Sequence, residues 1–275
     1  FGPNVTPYVI WPPTRHPILY YLWFQIRILH LLNKIKPDLF LSHDGLITLG
    51  ARYKQLSVIC DINFFHYPKD LPFAYRAFFN YFFPRYAAQA TRILTLSDFC
   101  KNDIVNSYHT NPDKIDVMCV GVENSFAPLA EERQMAVRVE HTQGKKYFIF
   151  VGSIHPRKNI VGLLRAFEQF KQKSHSDYKL VLAGSFFWGK KELNEILDKM
   201  QYKNDVIFTG RTPDNTLREL LASAFCLTFV SYFEGFGIPL IEAMRCQIPI
   251  ITSNVTSLPE VAGNAAVYVD PFSVE

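Results

Sequence analysis

Ala224-Phe225-Cys226-Leu227-Thr228-Phe229-Val230-Ser231 is a continuous apolar run of strand length, and Glu234-Gly235-Phe236-Gly237-Ile238-Pro239-Leu240-Ile241-Glu242-Ala243-Met244 follows it almost at once. The second stretch opens a helix, because a proline near a helix start gives up only an amide that is unpaired there anyway. Strand, glycine loop and helix make one βα unit, and the same alternation continues on both sides. Strand-like runs at Tyr147–Val151, Lys179–Ala183, Val206–Thr209, Phe225–Val230, Ile248–Thr252 and Ala266–Val269 alternate with helical stretches near Asn159–Ser174, Lys190–Met200, Asp214–Ala224, Pro239–Cys246 and Leu258–Ala262. Near-continuous apolar strands separated by helices predict a parallel sheet covered on both faces, an α/β Rossmann-like domain. In such a sheet ligands lie beyond the carboxyl ends of the strands.

The first half alternates more loosely. Ile18–Lys34 reads as a helix packed on a sheet, since Gln25, Arg27, His30 and Asn33 make it too polar and too short to cross a bilayer. Strands are expected at Asp38–Ser42, Leu56–Cys60, Arg92–Ser97 and Lys114–Val120, with a small helix over Gly45–Arg52, an aromatic helix over Pro72–Ala90, and a helix to about Tyr108 capped by Ser97 or Asp98. Between the halves the pattern weakens into a loop and a charged helix. The division predicted is a first Rossmann-like domain over residues 1–125, a linker over 126–145 and a second Rossmann-like domain over 146–275.

At 275 residues the chain is long enough for two such domains. Hydrophobic residues make up 48% and charged residues 20%, which excludes a disordered chain; a net charge of +4 spread along the sequence gives no nucleic-acid footprint. Cys60, Cys100, Cys119, Cys226 and Cys246 are odd in number, widely spaced and mostly in apolar runs, so they read as buried thiols of a reducing compartment. The Asn4-Val5-Thr6 and Asn254-Val255-Thr256 sequons would matter only in a secreted protein.

Chemistry concentrates at the predicted strand ends. In the Glu234 loop, Gly235 and Gly237 let backbone amides approach a ligand, and the helix behind them presents its positive end. Glu234 on the loop and Glu242, expected in the first helical turn, add two acceptors, a combination that suits a ligand carrying both hydroxyls and phosphate. The alternative is an ordinary turn with a glutamate complementing the helix dipole. After Tyr147–Val151 comes Gly152-Ser153-Ile154-His155-Pro156-Arg157-Lys158-Asn159, where Arg157 and Lys158 can neutralise a diphosphate or form a solvated basic turn.

The full string from Glu234 to Met244 resembles the E-x7-E signature of retaining GT-B-fold glycosyltransferases, of the glycosyl transferases group 1 and family 4 type, mannosyltransferases included. The resemblance implies that Glu234 contacts the donor sugar and Glu242 the ribose of a nucleotide-diphosphate sugar. Gly152–Asn159 is similar to that family's G-x-x-x-P-R-K-N loop, which implies a diphosphate role for Lys158 and, less directly, Arg157; where many members have Arg after the glycine, this chain has Ser153. Gly210-Arg211-Thr212-Pro213 matches the segment that holds the nucleobase, largely through backbone. Where many members carry His-Asp at the interdomain cleft, this chain has Cys60-Asp61, so Asp61 is kept as a cleft candidate and His43 or His66 as substitutes for the imidazole. Ser97 matches another family position.

The resemblance therefore implies two Rossmann-like domains facing a cleft. A first strand and glycine-rich loop of that fold are not found after Phe1, so the first domain is expected to be N-terminally truncated. The implied activity is retaining, metal-independent sugar transfer to a glycan or lipid-linked acceptor in surface polysaccharide or lipopolysaccharide synthesis, in the cytoplasm or at the inner face of the membrane. No cofactor is expected, the nucleotide sugar being a substrate. Alternatives of another class are a noncatalytic nucleotide-sugar-binding scaffold and a nucleotide-sugar epimerase.

Other motifs fail on chemistry. Gly184-Ser185-Phe186-Phe187-Trp188-Gly189-Lys190-Lys191 has P-loop spacing but puts Lys191 where a hydroxyl should hold magnesium, and Leu240 stands where a dinucleotide fingerprint needs its third glycine. No Asp-x-Asp pair or His-Glu-x-x-His unit offers a metal site. The Pro72–Ala90 helix, with Phe78, Phe79, Tyr81, Phe82 and Phe83, either packs its rings inward or makes peripheral contact with a membrane.

Overall fold

The computed structural model describes residues 2–14, 16–118, 120–186 and 190–275, the side chains of 190–192 excepted. Cys119 and the Phe187-Trp188-Gly189 part of the P-loop-like run lie outside the described residues. The chain forms two compact units, Phe1–Cys119 and Val120–Glu275.

In the first unit, strands β1 (Leu39–Ser42), β2 (Lys54–Val58), β3 (Arg92–Thr95) and β4 (Ile115–Val117) form a parallel sheet in that spatial order. The Ile18–Lys34 stretch is helical throughout, as successive segments Pro17–Tyr21, Leu22–Ile28 and Leu29–Ile35, and buries Phe24, Ile28 and Leu32. The helix Phe73–Gln89 buries Phe78, Phe83 and Tyr86 and half-buries Phe79 and Phe82, leaving Tyr81 exposed, so four of the five named rings face inward. Ser97 caps the helix Asp98–Tyr108, its Oγ accepting from Cys100 N at 3.2 Å.

The helix expected over Gly45–Arg52 does not form. Those residues run as an irregular buried loop, and buried backbone must find partners somewhere. Two glutamines outside the loop provide them: Gln25 donates to Ile47 O and accepts from Leu49 N, both at 2.8 Å, while Gln55 accepts from Thr48 N at 3.0 Å and donates to Thr48 O at 2.9 Å. Side-chain amides thus replace the i to i+4 ladder.

In the second unit, β5 (Tyr147–Val151), β6 (Lys179–Ala183), β7 (Val206–Gly210), β8 (Cys226–Phe229), β9 (Ile250–Ser253) and β10 (Val267–Val269) form one parallel sheet in the order β10-β9-β8-β5-β6-β7. Counted from β5 this is the doubly wound order 3-2-1-4-5-6 read in reverse, and its direction of winding switches between β5 and β8. The central strands are buried on both faces: Ile149, Phe150, Leu182 and Leu227 are inaccessible to solvent. The adjoining carboxyl ends of β5 and β8 form the crevice where such sheets bind ligands.

Residues 126–145, expected as a linker, belong to the second unit. Their helix Glu131–Thr142 buries Val137 in its core, Arg133 Nε pairs with Glu219 at 2.9 Å, and Arg138 Nε donates to Ser223 O at 3.0 Å. Of the cysteines, Cys100, Cys226 and Cys246 are buried as expected, but Cys60 is exposed. It lies just past the end of β2, where the apolar run gives way to Asp61 and the chain leaves the sheet.

Candidate active site

The loop after β5 is built around close backbone approach. Gly152 adopts φ 144 and donates to Ala183 O at 2.9 Å; a Cβ on Gly184, at the end of β6, would meet Gly152 O at 1.8 Å. Ser153 is exposed at this turn. The chain then makes a short 3-10 turn, Pro156–Lys158, capped by His155, and enters the helix Ile160–Ser174 through Asn159 in the left-handed region at φ 56. Asparagine tolerates that conformation, and here its buried side chain is also a clamp. Its Nδ2 donates to Val230 O at 3.1 Å and Pro271 O at 2.8 Å, and its Oδ1 accepts from Gly162 N at 3.2 Å.

That clamp joins the β5 loop to the β8 loop, and a backbone bond from Tyr232 N to Arg157 O at 2.9 Å adds to it. The result is a cluster of three charges. Glu234 accepts from Lys158 Nζ at 2.5 Å and from Arg157 Nη1 at 3.2 Å; Arg157 also donates to Phe233 O. The side chains of Glu234, Lys158 and Arg157 are only 8%, 12% and 16% exposed, so each charge relies on the others. The loop is held from below by the segment after β9, where Ser257 Oγ donates to Glu234 O at 2.9 Å and to Phe236 O at 3.2 Å. Gly235 is buried, and Gly237, at φ 96, is the N-cap of the helix Ile238–Arg245; a Cβ there would come within 2.8 Å of Leu258.

Glu242 departs from its expected place. It is the fifth residue of that helix, in the second turn rather than the first, because the helix starts at Ile238 with Pro239 second. Glu242 faces a separate cavity of about 250 Å³ shared with Glu123, Phe126, Leu217, Arg218 and Ile238. Burial raises its carboxyl above the ordinary range; Glu123 adds to the shift and Arg218 opposes it. Its backbone carbonyl accepts from Cys246 N, but among the described residues its carboxylate has no hydrogen-bond or ion-pair partner.

Arg211 and Thr212 line a neighbouring cavity of about 190 Å³ with Gly152, Gly184 and Ser185, and Leu217 lines both cavities. Eleven of the expected site residues thus fall in the second unit, ten on its loops and short turns and Glu242 in the second turn of a helix. Asp61 is in the first unit, where its Oδ1 accepts from Asn63 N at 2.9 Å just before the turn Asn63–His66. Of the suggested imidazoles, His66 Nε2 is engaged by Asp103 at 2.8 Å and His43 is exposed beside Asp44.

Sequence reasoning missed Gly184, Ser185, Glu123, Arg218 and Ser257. Gly184 and Ser185 were visible only as a failed P-loop, and Ser257 stood next to a sequon. Nothing local marked Glu123.

Residues 132–275, more than half of the chain, match the family Glycosyl transferases group 1. The chain belongs to that family. Residues 2–126 match Glycosyltransferase Family 4. Among curated relatives, O-antigen chain mannosyltransferase B of Escherichia coli is 33% identical over 187 residues, 68% of this chain and 49% of that protein. O-antigen chain mannosyltransferase RfbU of Salmonella typhimurium is 26% identical over 272 residues, 98% of this chain and 71% of that protein. The chain thus spans about half the length of the first of these relatives. Among solved structures, WaaG, a glycosyltransferase involved in lipopolysaccharide biosynthesis, superposes with a TM-score of 0.73 at 19% identity, over 97% of this chain and 73% of WaaG. HepE of Anabaena, in complex with UDP and glucose, gives 0.72 at 16% identity, over 92% of this chain and 70% of HepE. The fold of the group 1 chain is GT-B, with its two parallel-sheet units.

Proposed function

We propose that this group 1 chain transfers a sugar, with mannose the first candidate, from a nucleotide-diphosphate donor to a glycan or lipid-linked acceptor in surface polysaccharide or lipopolysaccharide synthesis, retaining configuration and needing no metal ion. The observation that carries the reading is the Arg157–Glu234–Lys158 cluster at the β5–β8 switch point. Two cations against one carboxylate leave an excess positive charge at the place where a diphosphate would lie.

In the reaction the bond from the anomeric carbon to the diphosphate breaks, and its electron pair leaves on a phosphate oxygen. Lys158, Arg157 and the positive end of the Ile238–Arg245 helix stabilise that growing charge, the kind of preorganised electrostatics that lowers such a barrier most. Glu234 has two tasks: it holds both cations in place and presents acceptor oxygens to the donor sugar's hydroxyls. The acceptor hydroxyl attacks from the face the diphosphate leaves and gives its proton to the departing phosphate oxygen, so the configuration is kept. The nucleobase occupies the cavity of Gly152, Gly184, Arg211 and Thr212, and the ribose faces Glu242. Two mannosyltransferases among the curated relatives support the choice of sugar.

The test is turnover by the full-length protein with a panel of GDP- and UDP-linked sugars, with product configuration read by NMR and rates compared with and without EDTA. A retained anomeric centre with an EDTA-insensitive rate is expected. Inversion, loss of rate on chelation, or failure to turn over any donor overturns the proposal.

A further inference from the structure

We propose that Glu123 is a second donor-binding carboxylate, which shares the recognition of the ribose diol with Glu242 and so makes the site specific for ribonucleotides. The inference rests on the donor reading above and adds to it a residue outside the 132–275 stretch matched to the group 1 family.

Glu123 and Glu242 line the same cavity with Arg218, whose Nη2 donates to Glu123 Oε2. Arg218 is itself placed: its Nη1 donates to Asn215 Oδ1 at 3.0 Å, and its guanidinium lies 5.6 Å from the centre of the Phe126 ring. The one cation offsets part of the repulsion between the two carboxylates in a small space that Phe126, Leu217 and Ile238 also line. Arg218 satisfies only part of that capacity. A carboxylate accepts several hydrogen bonds, that of Glu242 has no partner among the described residues, and Glu123 keeps its second oxygen beyond the Arg218 and Ser125 contacts, both made through Oε2.

Three acidic residues line the cavity, Asp214 at the start of the helix Asp214–Ala222 and the pair Glu123 and Glu242; that pair matches two adjacent hydroxyls, and the position of the cavity selects which. It shares the Leu217 wall with the cavity of Gly152, Arg211 and Thr212, and it lies beside the helix whose N-cap is Gly237. A diol at that place belongs to the sugar joined directly to the base. Glu123 makes its contribution from just past the unit boundary at Val120, with Arg218 as its positioning residue.

The experiment is calorimetric titration of the full-length protein with GDP and UDP and with their 2′-deoxy and 3′-deoxy forms. Losing a hydrogen bond to a charged acceptor is expected to weaken binding roughly tenfold or more at each position in the wild type. Glu242→Ala should abolish the preference at one hydroxyl and Glu123→Ala at the other, while Arg218→Gln should reduce only the preference that depends on Glu123. The Glu123 side chain is 68% exposed, so its removal should leave thermal unfolding unchanged, and a ratio of affinities does not respond to general loosening. If Glu123→Ala keeps both wild-type ratios, the role assigned to Glu123 falls while the donor site stands. If the wild type binds no nucleoside diphosphate, the donor reading falls first and takes this inference with it.

Discussion

Glu234 and Glu242 share one motif and eight residues of sequence separation, yet they occupy opposite electrostatic surroundings. Glu234 is buried against two cations that reach it from 76 and 77 residues away, whereas the Glu242 carboxylate has no partner among the described residues and is pushed toward its neutral form by burial and by Glu123. On the proposed function, the difference is that between a carboxylate serving as part of the framework and one kept available for a ligand. The first should fail structurally when removed; the second should fail only in binding.

Glu234→Ala is the strongest way to break the comparison. It leaves Lys158 and Arg157 as two largely buried like charges, and removing one partner of a buried ion pair costs about 3–5 kcal/mol. Urea unfolding should show that loss, with Glu234→Gln recovering a minor part of it. An exposed, dispensable Glu234 would show almost none. Lys158→Ala removes the charge proposed to face the leaving diphosphate and should lower kcat about 100- to 1,000-fold, measured at saturating donor. Because Lys158 and Glu234 act as one unit, the double variant should lose far less than the product of the two single effects.

Gly184→Ala probes the backbone beneath the cluster. Its Cβ would fall 1.8 Å from Gly152 O, so the β5 loop must shift, at a cost of about 1–3 kcal/mol. The loss should appear both in unfolding and in donor affinity, since the displaced loop carries Arg157 and Lys158.

How much of this could be read beforehand depended on where each residue's partners lie. The second unit's strands were legible within a residue or two because β5, β6 and β8 are buried on both faces and read as unbroken apolar runs. The Gly45–Arg52 loop was not, because side chains satisfy its backbone, Gln25 from 22 residues upstream and Gln55 from the following strand. In the same way, the motif supplied Lys158 and Glu234 but not their contact. Gly184 looked like a broken P-loop because its function is steric and requires the neighbouring strand's carbonyl. Glu123 stood in a stretch with weak periodicity, and only the folded second unit brings it to Glu242's cavity.

Glu242→Gln gives the smallest effect and the sharpest sign. A carboxyl raised above its ordinary range is harder to ionise in the folded chain than in the unfolded one, so the folded state gains from its protonated form. That gain is present at pH below the ordinary carboxylate range and is lost as pH rises through the elevated value. Glutamine is neutral at every pH and should therefore match the wild type in acid and exceed it at neutral pH. Because Glu242 still meets solvent the gain is small, read as a modest rise in Tm at neutral pH that is absent in acid. The same variant should bind nucleoside diphosphates more weakly, because a neutral amide is a poorer acceptor for a hydroxyl than a carboxylate. A gain in stability together with a loss of affinity is what a carboxylate kept ionised for a ligand requires. If Glu242→Gln instead lowers Tm at neutral pH, Glu242 is a framework residue like Glu234 and the contrast between them collapses.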